Sequence, residues 1–330
     1  MLHIYLDQNK WVDLARSATG HSLGDRFADA LAMARAAVAA GEVSFPLDMY
    51  RYWETSKRGD DRSRNGVVAV MRELSQQHTM SLPFGLLDSE IDDALQRRFG
   101  RPTDPRRRQV FGIGMRHIAD GRLEWRDLDL SALPDGGASV PAGIRAQLSE
   151  LLDEAIEEGL LRAGPATFRG VGFDHAASDH GQRFVDFENL VAAEIVKHKL
   201  TGDAINIAVR GTDIGDIRPA LDEALERIGM TYDEFVAERG VAELIGFIDD
   251  LPTRYVTNVM RSAKHRQMQQ KWEPNDFIDV VALPVAAVYC DVVFTEKQWA
   301  HHMKVDLRYG TTIISDVADL VDVLVGASAH

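Results

Sequence analysis

Cysteine is almost absent: Cys290 stands alone in 330 residues. That excludes an intramolecular disulfide and a cysteine-ligated zinc site, and Cys290, set in an apolar run, reads as a buried inert thiol. Basic charge is also scarce. Lys and Arg number 37 against 51 Asp and Glu, for a formal net charge of −14. A protein that coats nucleic acid over its whole surface carries the opposite sign, because phosphate neutralisation dominates such binding. Any nucleic-acid contact must therefore be local or bridged by metal. Long hydrophobic runs are missing too. The longest, VVALPVAAVYC at 280–290, is too short to span a bilayer and contains Pro284. Asp7, Lys10 and Asp13 interrupt the N-terminal segment too early for a signal peptide, so a cytoplasmic protein without membrane contact is expected. The Walker-type P-loop, GxGxxG and HExxH motifs are all absent. This argues against a nucleotide-driven motor, a dinucleotide enzyme and a zincin.

What is present is an ordinary globular composition, 45% hydrophobic and 27% charged, in a chain long enough for two domains or one domain with a large insertion. The segment LHIYL at 2–6 is rich in β-formers and reads as a first strand, ending at Asp7. Residues 25–40 have helical periodicity and stop at Gly41, and EVSFPL at 42–47 reads as a second strand. Strand, helix, strand predicts parallel pairing through a right-handed crossover. Helices follow from about Asp48 to Lys57 and from about Ser63 to Gln77, with a possible third strand at 79–83.

From Phe84 the pattern changes. Residues 84–250 hold helical patterns and loops without strand alternation, among them amphipathic stretches at 144–164, 182–200 and 231–251. The last opens with Thr231 and Glu234 spaced as a capping box, and 131–143 has the composition of a linker. The α/β pattern returns at the C-terminus: helix 275–290, strand 291–295, helix 296–306, strand 311–315 and a closing helix 316–326. The expected fold is α/β, an open parallel sheet with flanking helices, built from residues 1–83 and 251–330 and interrupted by a mainly helical insertion at 84–250.

Carboxylates gather at the ends of these elements. Asp7 follows the first strand, where ligands bind in open α/β sheets. Glu54 lies on the helix after the second strand. Asp276 and Asp279, three apart, share one helical face. Asp291 and Glu296 bracket the strand near the C-terminus. For each of them the plain alternative is a helix cap or a solvated charge.

These residues resemble the active-site acids of the PIN-domain nucleases, a family of metal-dependent ribonucleases. The family pattern is an apolar strand ending in Asp-x-Asn, here Asp7-Gln8-Asn9; a Glu on an early helix, here Glu54; and a helix starting with Asp that runs about sixteen residues to a strand ending in Thr, followed by a last acid. Asp279 and Thr295 are sixteen apart, and Glu296 comes next. Family members usually place that acid two residues after the Thr, where this chain has Lys297. They are also much shorter, and 84–250 has no counterpart.

The resemblance implies a PIN-like fold and a divalent-metal-dependent nuclease acting on RNA, with Asp7, Glu54, Asp279 and Glu296 catalytic. Those four and Asp276 would hold Mg²⁺ or Mn²⁺, and Asn9 and Thr295 would orient them. Converging carboxylates repel one another unless a hard cation neutralises them, and oxygen donors suit those two ions. Basic residues flank the ligand segments. Residues 251–272 carry five Lys or Arg and no acid, whereas 213–250 carry eleven acids against three Lys or Arg. Arg261, Lys264 and Arg266 in the first stretch, and Lys57 and Arg58 beside Glu54, are the expected phosphate contacts. Arg51, Arg62 and Arg64 belong to the same second cluster. Solvated helix faces are the alternative for both basic groups. At the level of function, the alternative is a PIN-like scaffold without catalysis, a binding or regulatory module, in keeping with the displaced last acid. The insertion is a candidate surface for a protein partner.

Overall fold

The computed structural model describes residues 1–100, 109–119, 131, 135–170, 179–267, 269–304 and 308–327. Its first strand, β1 (Leu2–Leu6), decides the layering, because alternate side chains point to opposite faces. Ile4 and Leu6 enter one apolar core and Tyr5 the other. After β1 come α1 (Gln8–Ala18), a 3-10 turn at Ser22–Phe27, α2 (Ala28–Ala39), β2 (Val43–Ser44), α3 (Met49–Ser56), α4 (Asp61–Ser75) and β3 (His78–Met80). The helix expected from residue 25 begins three residues later, behind the 3-10 turn. β2 is short because Pro46 has no N–H to donate to a ladder. Leu47 resumes pairing beyond it, as a single parallel bridge to Thr79.

The middle of the chain forms α5 (Pro83–Phe99), β4 (Phe111–Ile113), α6 (Gly114–Ala119), α7 (Ala142–Arg162), α8 (Pro165–Gly170), α9 (His180–Lys197), α10 (Asp203–Arg227) and α11 (Tyr232–Asp249). The capping box at Thr231 and Glu234 is formed. β4 corrects the expectation that this segment lacks strands. It pairs antiparallel with β3, and at three residues it is too short to show alternation. Of the expected linker at 131–143, residues 132–134 lie outside the described residues, 135–140 form turns, and α7 has begun by 142.

The C-terminal part forms α12 (Pro252–Arg266), α13 (Asp276–Tyr289), β5 (Val292–Phe294), α14 (Lys297–Lys304), β6 (Thr312–Ile314) and α15 (Leu320–Ala327). Residues 305–306 of the helix expected at 296–306 lie outside the described residues. The two ends of the chain share one parallel sheet of order β2-β1-β5-β6. Ile4 pairs with Val292, Tyr5 with Val293 and Leu6 with Phe294. Both faces are covered, as all-parallel sheets require. Residues of α1, α2, α4 and α15 pack on the Ile4 and Leu6 side, and residues of α12, α13 and α14 on the Tyr5 side. Strand order reverses between β1 and β5, so a crevice opens beyond their carboxyl ends. Among the described residues no helix is long and apolar enough to cross a membrane.

α12 departs most from its sequence. The stretch expected to offer exposed phosphate contacts is instead a buried central helix, with every residue from Tyr255 to His265 inside. Its bases meet the acids of the preceding helices. Arg261 donates to Glu188 at 2.7 Å, His265 Nε2 lies 2.6 Å from the other Glu188 oxygen, and Arg254 and Asn258 both donate to Asp213. Glu188 and Asp213 are fully buried. Between 213–250 and 251–272 themselves, among the described residues, Asp213 and Asp216 are the acids that meet a base, Arg254, while Arg261 and His265 meet Glu188 and Lys264 meets Asp276. Removing one partner of a buried ion pair strands the other charge, which costs about 3–5 kcal/mol. Glu188→Ala should lose about that much in urea unfolding, whereas an exposed pair such as Arg35 with Glu73, 2.8 Å apart, should lose no more than about 1 kcal/mol on Arg35→Ala.

Candidate active site

Asp7 sits at the carboxyl end of β1 because its backbone N–H continues the ladder, donating to the Phe294 carbonyl at 2.9 Å. Its side chain caps α1, accepting from Gln8 N at 2.7 Å. Thr295, directly after β5, donates to the other carboxylate oxygen at 3.1 Å. Both of its oxygens are therefore fixed.

The third partner of Asp7 is Arg51. On α3 the sequence Asp48-x-x-Arg51-x-x-Glu54 puts three charges on one helical face. Arg51 is only 1% exposed. Its guanidinium pairs with Asp7, lies 2.8 Å from Glu54 and approaches Asp48 at 3.6 Å. Asp48 also accepts from the buried Tyr5 hydroxyl at 2.6 Å. The sequence placed Arg51 in a surface cluster around Glu54; the structure makes it an internal counter-ion. The three-residue spacing was the available signal.

α13 and α14 bring the opposite wall. Asp279 accepts from the Trp299 indole N–H at 2.8 Å. Asp276 accepts from Lys264 Nζ and from Glu273 N, both at 2.6 Å. Lys264 is 4% exposed, with its ammonium 4.8 Å from the Trp272 ring centre and 5.3 Å from that of Trp299. Glu296 accepts from Asn9 Nδ2 at 2.9 Å. Asp291 lies at the other end of β5, accepting from His3 N at 2.8 Å, away from this group.

Asp7, Asn9, Glu54, Asp276, Asp279 and Glu296 line one polar cavity of about 700 Å³, with Arg58 and Lys264 in the same wall. Gln8, Arg16, Lys271 and Glu273 line it too, although the sequence pattern did not select them. Of the other basic residues proposed from sequence, Lys57 is exposed over the Trp53 ring, and Arg266 is exposed and donates to Asn206 at 2.6 Å. Arg261 is 3% exposed and held by Glu188, so it is removed from any solvent-borne phosphate. Lys264 is likewise committed to Asp276 and reaches only the cavity. Among the described residues, no three carboxylate, histidine or cysteine side chains form a ready metal-ligand group. The acids share a cavity in which Arg51, Lys264 and Asn9 each hold one or more of them.

The electrostatics record the crowding. Burial, then the negative charges of Asp7 and Glu54, push the Asp279 carboxyl up to about 9, against the smaller opposing pull of Arg51. Burial raises Glu54 to about 7, with Arg51 opposing and Asp7 adding to the rise. Both carboxyls therefore hold a proton more tightly than an ordinary carboxylate does. Comparison with protein-family models, with curated proteins and with solved structures finds no match.

The sign of the resulting pH dependence is fixed. A carboxyl raised in the fold binds its proton more tightly there than in the unfolded chain, so stability falls as pH climbs from the ordinary carboxylate range through the folded value. In chelator, the melting temperature should decline from about pH 5 to about pH 9. Asp279→Asn imitates the protonated acid and should flatten the upper part of that decline, between pH 7 and 9. Thermal melts across this range check it, and an equal slope in the variant would remove Asp279 as the cause.

Proposed function

We propose that this protein is a divalent-metal-dependent nuclease with a PIN-like catalytic domain, an RNA endonuclease that hydrolyses phosphodiester bonds. In this reading residues 1–83 and 251–330 form that domain, and 84–250 is an inserted helical region open to a protein partner. One observation carries the proposal. Asp7, Glu54 and Asp279, from three distant stretches of chain, line one polar cavity beyond the carboxyl ends of β1 and β5, and the negative charges of Asp7 and Glu54 help to hold a proton on Asp279, a place a cation could take.

The donors fit Mg²⁺ or Mn²⁺. They are oxygens throughout, and among the described residues two buried amide oxygens in the same wall, Gln8 Oε1 and Asn9 Oδ1, have no hydrogen-bond partner. Asp7, Glu54 and Asp279 would hold the ion, with Asp276 and Glu296 reaching it directly or through water. When bound, the ion would polarise the scissile phosphate and stabilise charge on the leaving oxygen. Thr295 and the Gln8 N–H keep the Asp7 carboxylate oriented. Arg51 holds Asp7 and Glu54 together before the ion arrives. Asp279 would have to release its proton to hold a cation, so ion affinity would rise with pH. Trp299 fixes the Asp279 carboxyl through its indole N–H.

A second reading is favoured by one observation of its own. Arg51 already pairs with Asp7 and Glu54, as a permanent counter-ion would in a scaffold that binds without cleaving. Labelled single-stranded RNA incubated with the purified protein separates the two. Cleavage is expected in Mn²⁺ and not in chelator, and Asp7→Asn and Asp279→Asn should each abolish it. Stability supplies a readout independent of substrate. An ion that binds only the fold stabilises it by about 2.7 kcal/mol at a hundredfold excess over its Kd. Millimolar Mn²⁺ should raise the wild-type melting temperature, more at pH 8.5 than at pH 6, and Asp279→Asn should lose most of the rise. No cleavage together with equal Mn²⁺ shifts in both proteins would replace the nuclease with the binding module.

A further inference from the structure

A second cavity, of about 520 Å³, lies against the first and shares Val12, Arg16 and Arg58 with it. Its lining reverses the sign of the chain. Arg16, Arg58, Arg62 and His21 face it, against Asp60 as the acid among its lining residues. Asp60 is occupied as the cap of α4, accepting from Ser63 N at 2.9 Å. Most arginines that meet acids in this protein are bound to them, as Arg51, Arg64, Arg98, Arg254 and Arg261 are. Among the described residues, Arg58 and Arg62 have no carboxylate partner. Arg58 donates one guanidinium N–H to Ser63 Oγ at 2.9 Å, while among the described residues its buried Nε has no acceptor. Arg62 is exposed, and Arg16, paired with Asp13 at 3.0 Å, keeps 42% of its side chain in solvent.

We propose that this basic groove is the track for the phosphodiester backbone of a single strand, delivering it across Arg58 into the carboxylate cavity. The inference rests on the nuclease reading for what happens at the end of the track, not for the binding itself. An acidic cavity alone repels a polyanion; a guanidinium-lined approach on one side offers forked donors to successive phosphates and gives the strand one direction of entry. The backbone, not the bases, is the ligand. Among the residues facing the groove, the aromatic side chain is His21, whose Nδ1 is already engaged by Leu23 N at 3.1 Å.

The test reads binding in chelator, where cleavage plays no part. Fluorescently labelled twelve-residue oligoribonucleotide and oligodeoxyribonucleotide of the same sequence are titrated against wild type, against Arg16→Gln with Arg62→Gln, and against Arg35→Gln as a charge control on a distant exposed pair. Each phosphate contact to a single strand contributes about 0.7 to the slope of log affinity against log salt. The double variant should therefore lose about 1.4 from that slope and bind both oligonucleotides roughly tenfold more weakly at low salt, with Arg35→Gln near wild type. Because Arg16 and Arg62 reach solvent, the double variant should melt within a few degrees of wild type. RNA bound more tightly than DNA would assign the strand as RNA, and equal binding would assign the shared backbone. A wild-type slope in the double variant overturns the track while leaving the cleavage result standing. So does an equal loss in Arg35→Gln.

Discussion

The structure depends on one buried guanidinium. Arg51 lies among Asp7, Glu54 and Asp48, and its neutralising charge lets three carboxylates converge where β1 ends. Without it, burial and repulsion would drive α3 away from the strand or force protonation of more than Asp279. The same contacts join the carboxyl end of β1 to the helix after β2, because Asp7 belongs to one and Asp48 and Glu54 to the other. Tyr5 extends the network beneath the sheet through its bond to Asp48. The position of the candidate active site and the closure of the N-terminal half therefore have one cause.

α12 performs a comparable task on the other face. It is polar in sequence and buried in the fold, a combination that is stable only when its charges find partners. Glu188 from α9 and Asp213 from α10 meet Arg261, His265, Arg254 and Asn258. Lys264, in the last turn of α12, turns toward α13 and fixes Asp276. Among the described residues, Lys264 is the α12 side chain that lines the cavity. A slip of α12 by one turn against its neighbours would strand several of these charges at once.

The cavity combines two opposing fields at short range. One wall gathers carboxylates and the adjoining groove gathers guanidinium groups, with Arg16 and Arg58 common to both. A net charge of −14 would by itself keep polyanions away. Under the proposed reading, a local reversal of sign beside a site that would take up cations resolves that conflict, because the two fields would act on different parts of one ligand.

The sequence by itself determined the short apolar strands at both ends of the chain, the helices between them, and the acids that follow strand ends. Asp7, Glu54, Asp279 and Glu296 were legible because strand termini and helical spacing are local properties, readable within a dozen residues. Only the tertiary structure decided which charges face water. Arg261 and Arg62 are the same residue type in similarly basic stretches, yet one is sealed against Glu188 and the other lines an open groove. That outcome depends on which distant helix packs alongside. Glu188 lies 73 residues before Arg261, and Arg51 meets Asp7 across 44. Nothing in local periodicity encodes such pairings, because they follow from how the layers stack around a sheet made from both ends of the chain.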